Sequence, residues 1–312
     1  MKRTSTVLAV SWALSLVLAC APTSSRDRYG DTLSILFTGD VLLDRGVRPT
    51  IEKRGIGYLF AEVEPYFRQA DAVVINLECP MTDSVTPVNK QFIFRADSRW
   101  ASEMRDVGIT HAALANNHAI DQGRTGLRAT CRHLEEAGIV PLGYGDSALQ
   151  QLSPVLIAKG DMRVALFNAL AVPLESWHHA EGQPDICQPT AEQLAEAVCR
   201  YHKSHPETKI VVVLHWGTEY QSHPSIRQRR MAARLAEAGA DAIIGHHPHV
   251  LQPIDTIGHT LVFYSLGNFV FDQRQPQTRQ TMMVCLSFHP DASLSYDTIP
   301  LRIQQHRPTP VR

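Results

Sequence analysis

Five apolar stretches of strand character each end on polar side chains that can bind a metal. They are Ile35–Asp40, Val73–Glu78, Ala112–His118, Ile210–His215 and Ala242–His249. Strands buried on both faces of a parallel sheet form continuous apolar runs, and open α/β folds bind ligands beyond the carboxyl ends of such strands. The pattern therefore predicts that carboxylate, carboxamide and imidazole groups meet at one edge, in a mixture that suits a divalent transition metal.

The order of strand and helix patterns predicts an α/β fold. Strand patterns at Leu33–Thr38, Ala72–Asn76 and Thr110–Ala115 alternate with helical patterns, which is typical of a sheet with helices on its outer faces. The predicted helices are Tyr58–Arg68, Ser98–Asp106, Gly123–Ala137, Ala191–Lys203 and Ile226–Ala238.

The later strand patterns predict a second sheet stacked on the first. A tight turn at Gly160-Asp161 predicts a hairpin of Val155–Lys159 and Arg163–Ala169. Antiparallel strands are predicted at Gln252–Ile257, Thr260–Tyr264, Thr281–Phe288 and Ser293–Ile303. No linker or repeat divides the chain, so we predict one domain over 32–304 and a tail at 305–312. Residues 172–189 lack periodicity and predict a long loop of the kind that forms lids.

Composition limits the classes of function. The chain has 312 residues, of which 44% are hydrophobic and 20% are charged, as is ordinary for a globular protein. Its formal net charge is −1 with the 15 histidines neutral. Because there is no basic field to attract phosphates, we expect no nucleic-acid partner.

The N-terminus has the features of an export signal in residues 1–20. An apolar segment from Val7 to Leu18 follows two basic residues and is too short to span a bilayer comfortably. Val17-Leu18-Ala19-Cys20 resembles a bacterial lipobox, so lipidation of Cys20 is favoured over plain secretion. The predicted mature protein is held at the membrane by a flexible tether, 21–31, and lies in the cell envelope, facing the periplasm or the exterior.

The remaining cysteines do not form a recognisable framework. They are Cys79, Cys131, Cys187, Cys199 and Cys285. Their spacing matches neither a zinc ribbon nor a disulfide scaffold. Cys187 and Cys199 are placed either to pair in an oxidising compartment or to remain free thiols.

The block Gly245–His249 carries the strongest metal-binding pattern, with three histidines directly after a buried strand. In an extended backbone His247 and His249 point to one side and can hold one metal or two adjacent metals. His246 then points away and makes a hydrogen bond. His215 ends another strand and is either a ligand or a satisfied core residue.

Other strand ends supply oxygen ligands and acid–base groups. Asp40 and Glu78 are the carboxylates, although each alone fits a turn or a helix start equally well. Asn117 and His118 place a carboxamide beside an imidazole that can donate to an anionic oxygen, unless the segment is simply a turn. Glu219 either orients the His215 imidazole, contacts substrate or is an ordinary exposed carboxylate.

Taken in chain order, these blocks resemble the CapA family of bacterial capsule (poly-γ-glutamate) synthesis proteins, a branch of the calcineurin-like metallophosphoesterases. The resemblance covers about Ser34 to Asp272. Its motifs are Gly39-Asp40, Asn76-Leu77-Glu78, Ala115-Asn116-Asn117-His118, His215-Trp216-Gly217, Gly245-His246-His247-Pro248-His249 and the run from Ser265 to Asp272. The resemblance implies a four-layer α/β/β/α sandwich.

The resemblance also implies roles for individual residues. The metal ligands would be Asp40, Glu78 and His249 at one ion, and Glu78, Asn117, His215 and His247 at the other. One or two divalent ions, Mn, Fe or Zn, would activate water there. The catalytic groups would be His118, Glu219 and Arg45, with His118 protonating the leaving group or stabilising the transition state. Asn116, Trp216 and Asn268 would contact substrate.

Two departures from the superfamily pattern weaken the first metal site. The Asp-x-His motif has Leu42 at its third position, so one imidazole is missing, and Glu78 replaces the usual bridging Asp. Asp44 from the same loop is hypothesised to compensate. The sequence is therefore consistent with a single ion or with two ions of which one is loosely held.

These features predict a metal-dependent, hydrolase-like capsule synthesis protein that handles an anionic polymer, with a phosphoester or γ-glutamyl bond as substrate. One alternative is a non-catalytic binding or assembly subunit with a structural metal, and another is a genuine phosphodiesterase. The expected partners are the membrane, through the lipid anchor, and a capsule-synthesis complex.

Overall fold

A computed structural model describes residues 32–180 and 182–311. The predicted signal, Cys20 and the tether 21–31 lie outside these residues. Within the described ranges, no helix combines the length and hydropathy that a membrane crossing requires.

Most of the chain between these limits is strand or helix. The strands are β1 (Leu33–Val41), β2 (Ala72–Leu77), β3 (His111–Ala113), β4 (Val140–Leu142), β5 (Tyr144–Gly145), β6 (Val155–Lys159), β7 (Met162–Leu170), β8 (Asp185–Ile186), β9 (Lys209–His215), β10 (Ala242–His246), β11 (Ile254–Ile257), β12 (Thr260–Phe263), β13 (Asn268–Val270), β14 (Gln280–Phe288), β15 (Leu294–Gln304) and β16 (Arg307–Pro310). The helices are α1 (Arg48–Arg54), α2 (Ile56–Phe60), α3 (Glu64–Phe67), α4 (Trp100–Asp106), α5 (Gly123–Glu136), α6 (Ala148–Gln151), α7 (Ala191–Ser204) and α8 (Ile226–Glu237), with a 3₁₀ turn at Pro276–Arg279.

Two mixed sheets form the centre of the molecule. The first has the strand order β16-β15-β14-β1-β2-β3-β4, and β13 pairs with the end of β1. The second has the order β11-β12-β10-β9-β7-β6. In both sheets the strands that end on predicted ligands run parallel to one another, β1 beside β2 and β9 beside β10.

Alternating side chains along the strands build the layers. In β9, Val211 and Val213 belong to the apolar cluster between the sheets, whereas Ile210, Val212 and Leu214 pack with the helices outside. β1 follows the same rule, with Ile35 and Phe37 facing the other sheet. This period-2 alternation of two buried faces gives the four-layer α/β/β/α sandwich predicted from the sequence.

Helices α7 and α8 begin with the same local device. Thr190 and Ser225 each accept a backbone hydrogen bond from the third helical residue, and the side chain of that residue, Gln193 or Gln228, bonds back to the capping residue. This capping box satisfies backbone donors that a helix start otherwise leaves unpaired. It fixes where both helices begin, next to the loops that follow β8 and β9.

Several predicted elements differ from the structure. The predicted helix Tyr58–Arg68 is two short helices, α2 and α3, with Pro65 at the start of the second. β12 pairs antiparallel with β11 but parallel with β10, so the prediction of purely antiparallel late strands is wrong for Thr260–Phe263. The predicted tail contributes β16, an edge strand antiparallel to β15. The predicted loop 172–189 includes the short strand β8, paired with β5.

Two hydrogen-bonded contacts join the sheets at the ligand-bearing end. Asn168 on β7 accepts from the amide of Ala115 at 2.9 Å and donates to the carbonyl of Val213 at 3.1 Å. His246 Nε2 lies 2.9 Å from the carbonyl oxygen of Thr38 on β1. Buried polar groups that satisfy one another in this way hold the two sheet edges in register.

Candidate metal centre

Strand register places the predicted ligands side by side. Asp40 on β1 is opposite Asn76 on β2 and Asn268 on β13, and His215 on β9 is opposite His246 on β10. Because parallel strands end at the same edge, residues that are far apart in sequence reach one place. The first and second sheets thus present their polar strand ends to each other.

The first group of ligands consists of Asp40, Glu78 and His249. Each offers one ligand atom, and these atoms all lie within 4.8 Å of one another. Asp40 Oδ2 is 3.1 Å from His249 Nδ1. All three side chains are buried. The residues that the sequence assigns to one metal therefore form a compact cluster.

The second group surrounds His215 Nε2. Asn117 Oδ1 lies 2.8 Å from this atom, His247 Nδ1 lies 3.1 Å away and Glu78 Oε1 lies 3.2 Å away. The Asn76 amide is 3.3 Å from the other ring nitrogen, Nδ1. The other three residues of the second predicted ligand set therefore each contact His215, and Glu78 belongs to both groups.

The donor set fits a divalent cation. A single imidazole N–H at His215 can serve only one acceptor, yet an amide oxygen, a carboxylate and a second imidazole crowd around it. Glu78 Oε2 is buried and has no hydrogen-bond partner among the described residues. Leaving such an oxygen unpaired is costly, and a cation between these groups would satisfy it.

The pKa values of the cluster residues also favour a bound cation. Burial raises the pKa of Glu78 well above its ordinary value, and the negative charge of Asp40 raises it further. Burial also acts to raise the pKa of Asp40, but the hydrogen bond and charge of His249 outweigh it and the pKa is lowered. The pKa of His249 is raised to about 9, because the charges of Glu78 and Asp40 outweigh its burial. The two carboxyl groups thus resist being ionised together, and a cation between them would relieve that repulsion.

The other imidazoles are held neutral. Burial, with the charge of His249, lowers the pKa of His247 to about 3. Burial, with the charge of His247, lowers the pKa of His215 well below its ordinary range. Metal ions bind neutral imidazole nitrogen, so His215 and His247 are in the protonation state that a ligand needs.

His247 and His249 reach the cluster from a strained turn. Their φ angles are 96° and 57°, in the left-handed region that non-glycine residues rarely adopt. The prediction of an extended backbone here is therefore wrong, although both imidazoles do enter the site. Strain of this kind persists only where the surroundings hold it, and it concentrates at functional sites.

Asn76 is a site residue that sequence reasoning missed. Its amide nitrogen is 2.8 Å from Asp40 Oδ1, 3.3 Å from Glu78 Oε1 and 3.3 Å from His215 Nδ1. One side chain thus orients three of the proposed ligands. The signal was present in the Asn76-Leu77-Glu78 block, where a buried strand ends on an amide as well as a carboxylate.

His118 is oriented by a buried pair that the sequence did not indicate. Its Nδ1 lies 2.9 Å from Asp121 Oδ2, and Lys90 Nζ donates to Asp121 Oδ1 at 2.7 Å. The ring stacks on Phe94 with centroids 4.2 Å apart. Burial lowers the pKa of His118, and Asp121 partly opposes this effect. Since Nδ1 faces Asp121, the opposite ring nitrogen is left for a reacting group.

Arg45 and Glu219 lie at the rim of the cluster. Arg45 forms an ion pair with Asp272 and stacks over the rings of Phe94, at 4.9 Å, and Phe271, at 5.4 Å. Glu219 is exposed, and its charge contributes to the raised pKa of His249. No contact joins Glu219 to His215 among the described residues, so the structure gives it no role in orienting that imidazole.

The three predicted substrate-contacting residues are buried structural residues. Trp216 is 1% exposed, donates from Nε1 to the carbonyl of Tyr264 at 2.9 Å and stacks on its ring. Asn116 donates to the carbonyl of Leu77 and accepts from the amide of His118. Asn268 Oδ1 is 2.9 Å from His249 Nδ1. These contacts hold the three side chains in place and orient their neighbours, while their contact with substrate stays a prediction.

The first predicted site remains depleted as the sequence indicated. Leu42 is fully buried in the apolar cluster on the helix side of the sheet. Asp44 does not replace the missing imidazole, because its carboxylate accepts from Arg48 Nε at 3.0 Å and from the amide of Arg95 at 2.7 Å. The hypothesis that Asp44 compensates is therefore wrong.

The cysteines contribute no cross-link in the described part of the chain. Cys187 is buried and Cys199 is half-buried, and both are free thiols. Burial raises the pKa of the Cys187 thiol to about 12, which suppresses its reactivity. Of the two predicted states for this pair, the structure shows the unpaired one.

Comparison with known sequences gives one consistent family. The model of the bacterial capsule synthesis protein PGA_cap matches residues 34–273. The PGA biosynthesis protein CapA of Bacillus subtilis is 32% identical over 285 residues, which cover 90% of this chain and 74% of that protein. The capsule biosynthesis protein CapA of Bacillus anthracis is 30% identical over 311 residues, 98% of this chain and 75% of that protein. The predicted family resemblance is confirmed.

Comparison with solved structures confirms the fold class. A putative 5′-nucleotidase from Staphylococcus aureus superposes with a TM-score of 0.54 at 14% identity over 90% of this chain. The NAD nucleotidase of Haemophilus influenzae gives a TM-score of 0.51 at 14% identity over 87% of this chain. The chain spans about half of each of those proteins, 54% and 50%. These likenesses show a shared α/β sandwich fold.

Proposed function

The chain belongs to the bacterial capsule synthesis protein PGA_cap family, and from that premise we propose that it is a metal-dependent hydrolase acting on a capsular poly-γ-glutamate chain at the cell envelope. The observation that carries the proposal is the buried double ligand group. Two carboxylates, one amide and three imidazoles converge there, and one carboxylate oxygen has no partner among the described residues.

Each side chain of the cluster has a task in this proposal. Asp40, Glu78 and His249 would hold one divalent ion, Mn, Fe or Zn, and His215, His247 and Asn117, together with Glu78, would hold a second. Such ions supply Lewis acidity and activate water for attack. Asn76 keeps the ligands oriented, as outer partners of metal ligands do.

Proton transfer falls to His118. With Nδ1 donating to Asp121, the ring would take up a proton at Nε2 and, as the imidazolium that Asp121 stabilises, pass this proton to the leaving group. Lys90 donates to the other oxygen of Asp121, and its side chain is almost fully buried. Glu219 and Arg45 at the rim contact the part of the polymer next to the reacting bond.

Export and anchoring form a second part of the proposal. Capsule synthesis by the Bacillus relatives is consistent with a role in the cell envelope. We propose that Cys20 carries a lipid that holds the protein at the membrane beside other components of a capsule-synthesis complex. A fatty-acid analogue should label the wild-type protein in cells and should not label the Cys20→Ala variant. If the wild-type protein carried no label, the proposed lipid anchor would be disproved, whereas the proposal of export would not be affected.

A non-catalytic assembly subunit is the second candidate. Leu42 favours it, because a buried leucine stands where the superfamily carries a metal-binding histidine. With one ion instead of two, the symmetric clamp on the attacking and leaving oxygens is lost. The cluster would then act as a structural metal site that stiffens the junction of the two sheets.

Substrate assays with matched variants separate these functions. The metal-loaded protein should shorten poly-γ-glutamate, and a chelator should abolish the reaction. His118→Gln should slow it at least about 100-fold without loss of metal, because general acid–base groups contribute factors of about 10²–10⁴. Chain length can be followed by gel electrophoresis. Cleavage of an activated phosphodiester alone would show a phosphodiesterase, and metal retention without any turnover would show the assembly subunit.

A further inference from the structure

A groove beside the metal cluster is lined by arginines that the proposed chemistry does not use. It consists of two adjoining cavities of about 630 Å³ and about 450 Å³. Both are bounded by Ala171–Pro173, directly after β7, and by Arg227 and Met231 on α8. Because they share these lining residues, the two cavities adjoin along α8.

The charges in this groove are positive and largely uncompensated. Arg227, Arg230 and Arg234 lie three and four residues apart, so they occupy one flank of α8. Arg234 pairs with Glu192, the acidic residue that lines the groove. Among the described residues, Arg227 and Arg230 have neither an acidic nor a hydrogen-bonding partner, and both are exposed. These two guanidinium groups can therefore form ion pairs with an anion from outside the protein.

The orientation of two helices adds to the positive potential in the groove. The capping residues Thr190 of α7 and Ser225 of α8 both line the groove. The N-terminal end of a helix carries partial positive charge from its oriented peptide dipoles. Helices of 14 and 12 residues thus direct this charge toward the space that the arginines border.

The groove lies next to the strand end that carries His215. Its smaller cavity is lined by Trp216, Gly217 and Thr218, which directly follow His215 in the chain. At the shared wall, the amide of Ala171 donates to the carbonyl of His215 at 2.8 Å. No proposed metal ligand is among the described residues that line the two cavities, so the groove is a site separate from the buried cluster.

We propose that this groove binds an extended polycarboxylate chain, with Arg227 and Arg230 pairing with its carboxylates. The identity of the polymer rests on the proposed function, whereas the binding site rests on the groove itself. A carboxylate on every repeat matches a pair of neighbouring guanidinium groups, which bind such groups in a bidentate manner.

Binding of fluorescein-labelled poly-γ-glutamate, measured by anisotropy with the metal-loaded whole chain, tests this site. The double variant Arg227→Gln/Arg230→Gln should bind at least about tenfold more weakly and lose most of its salt dependence. The matched control is Arg229→Gln, because Arg229 lies about 200° around the helix from Arg227. The control should change the dissociation constant less than about twofold.

The outcomes also separate this site from the metal centre. Both arginine variants should keep wild-type metal content, and His215→Ala should still bind the polymer. Unchanged binding by the double variant, or an equal loss of binding in Arg229→Gln, would disprove the proposed binding site in the groove. Neither result would bear on the proposed metal centre. Tighter binding of polyphosphate through the same two arginines would overturn the assignment to carboxylates.

Discussion

Replacing His215 by alanine should strip the second of the two proposed metals from the protein and abolish turnover. His215 Nε2 is the point at which Asn117, His247 and Glu78 converge, so its loss removes a ligand and opens a gap between the others. Loss of outer partners alone costs about 10–100-fold in metal affinity, and loss of a direct ligand should cost more than about 100-fold. Elemental analysis of the purified protein measures the bound metal.

A second histidine provides the control for this experiment. His223 is exposed and contacts the neighbouring Ser222 rather than the cluster. His223→Ala should keep wild-type metal content and activity. Circular dichroism should show that both variants are folded. Full metal retention in a folded His215→Ala protein would disprove the ligand assignment around His215.

Replacing Gly245 by alanine should destabilise the fold severely. A Cβ atom at this position would lie 2.1 Å from the carbonyl oxygen of Tyr264 and 2.5 Å from Trp216 Nε1. Neither group can move freely, because they are hydrogen-bonded to each other and buried. Overpacking of a tight core costs about 1–3 kcal/mol and occasionally more, and we expect a loss of at least about 3 kcal/mol here. Urea denaturation measures the change in unfolding free energy.

Gly57 is the matched control for the glycine substitution. It lies in α2, and a Cβ atom there would meet nothing within 4 Å. Gly57→Ala should leave stability unchanged or raise it by up to about 1 kcal/mol, because alanine favours a helix more than glycine does. Equal denaturation midpoints for Gly245→Ala and the wild type would show that the strand end relaxes more easily than its contacts indicate.

Sequence reasoning could predict that the candidate ligands lie close together because strand periodicity and ligand type are local properties. Asp40 and His215 each close an apolar run, and parallel strands must bring such ends to one edge. A motif marks positions without showing which way their side chains point. The structure showed that Trp216 hydrogen-bonds to the carbonyl of Tyr264 and that Asn268 Oδ1 lies against His249 Nδ1.

Longer-range partners were beyond the reach of sequence reasoning. Lys90 lies in a segment without regular structure, yet its ammonium group is buried against Asp121 beside His118. Asn168 sits in the middle of an apolar strand and joins the two sheets. Their roles depend on which segments pack together, and a single sequence does not encode that in any short pattern.

The sequence by itself determined the family, the α/β alternation and the strand ends at which a metal can be held, because each depends on residue type at fixed local spacing. Only the tertiary structure decided how the ligands are oriented. It showed that Asn76 contacts three ligands and that His247 and His249 enter from a left-handed turn. These relations arise from the stacking of two sheets, and distances between sheets are set by packing rather than by sequence spacing.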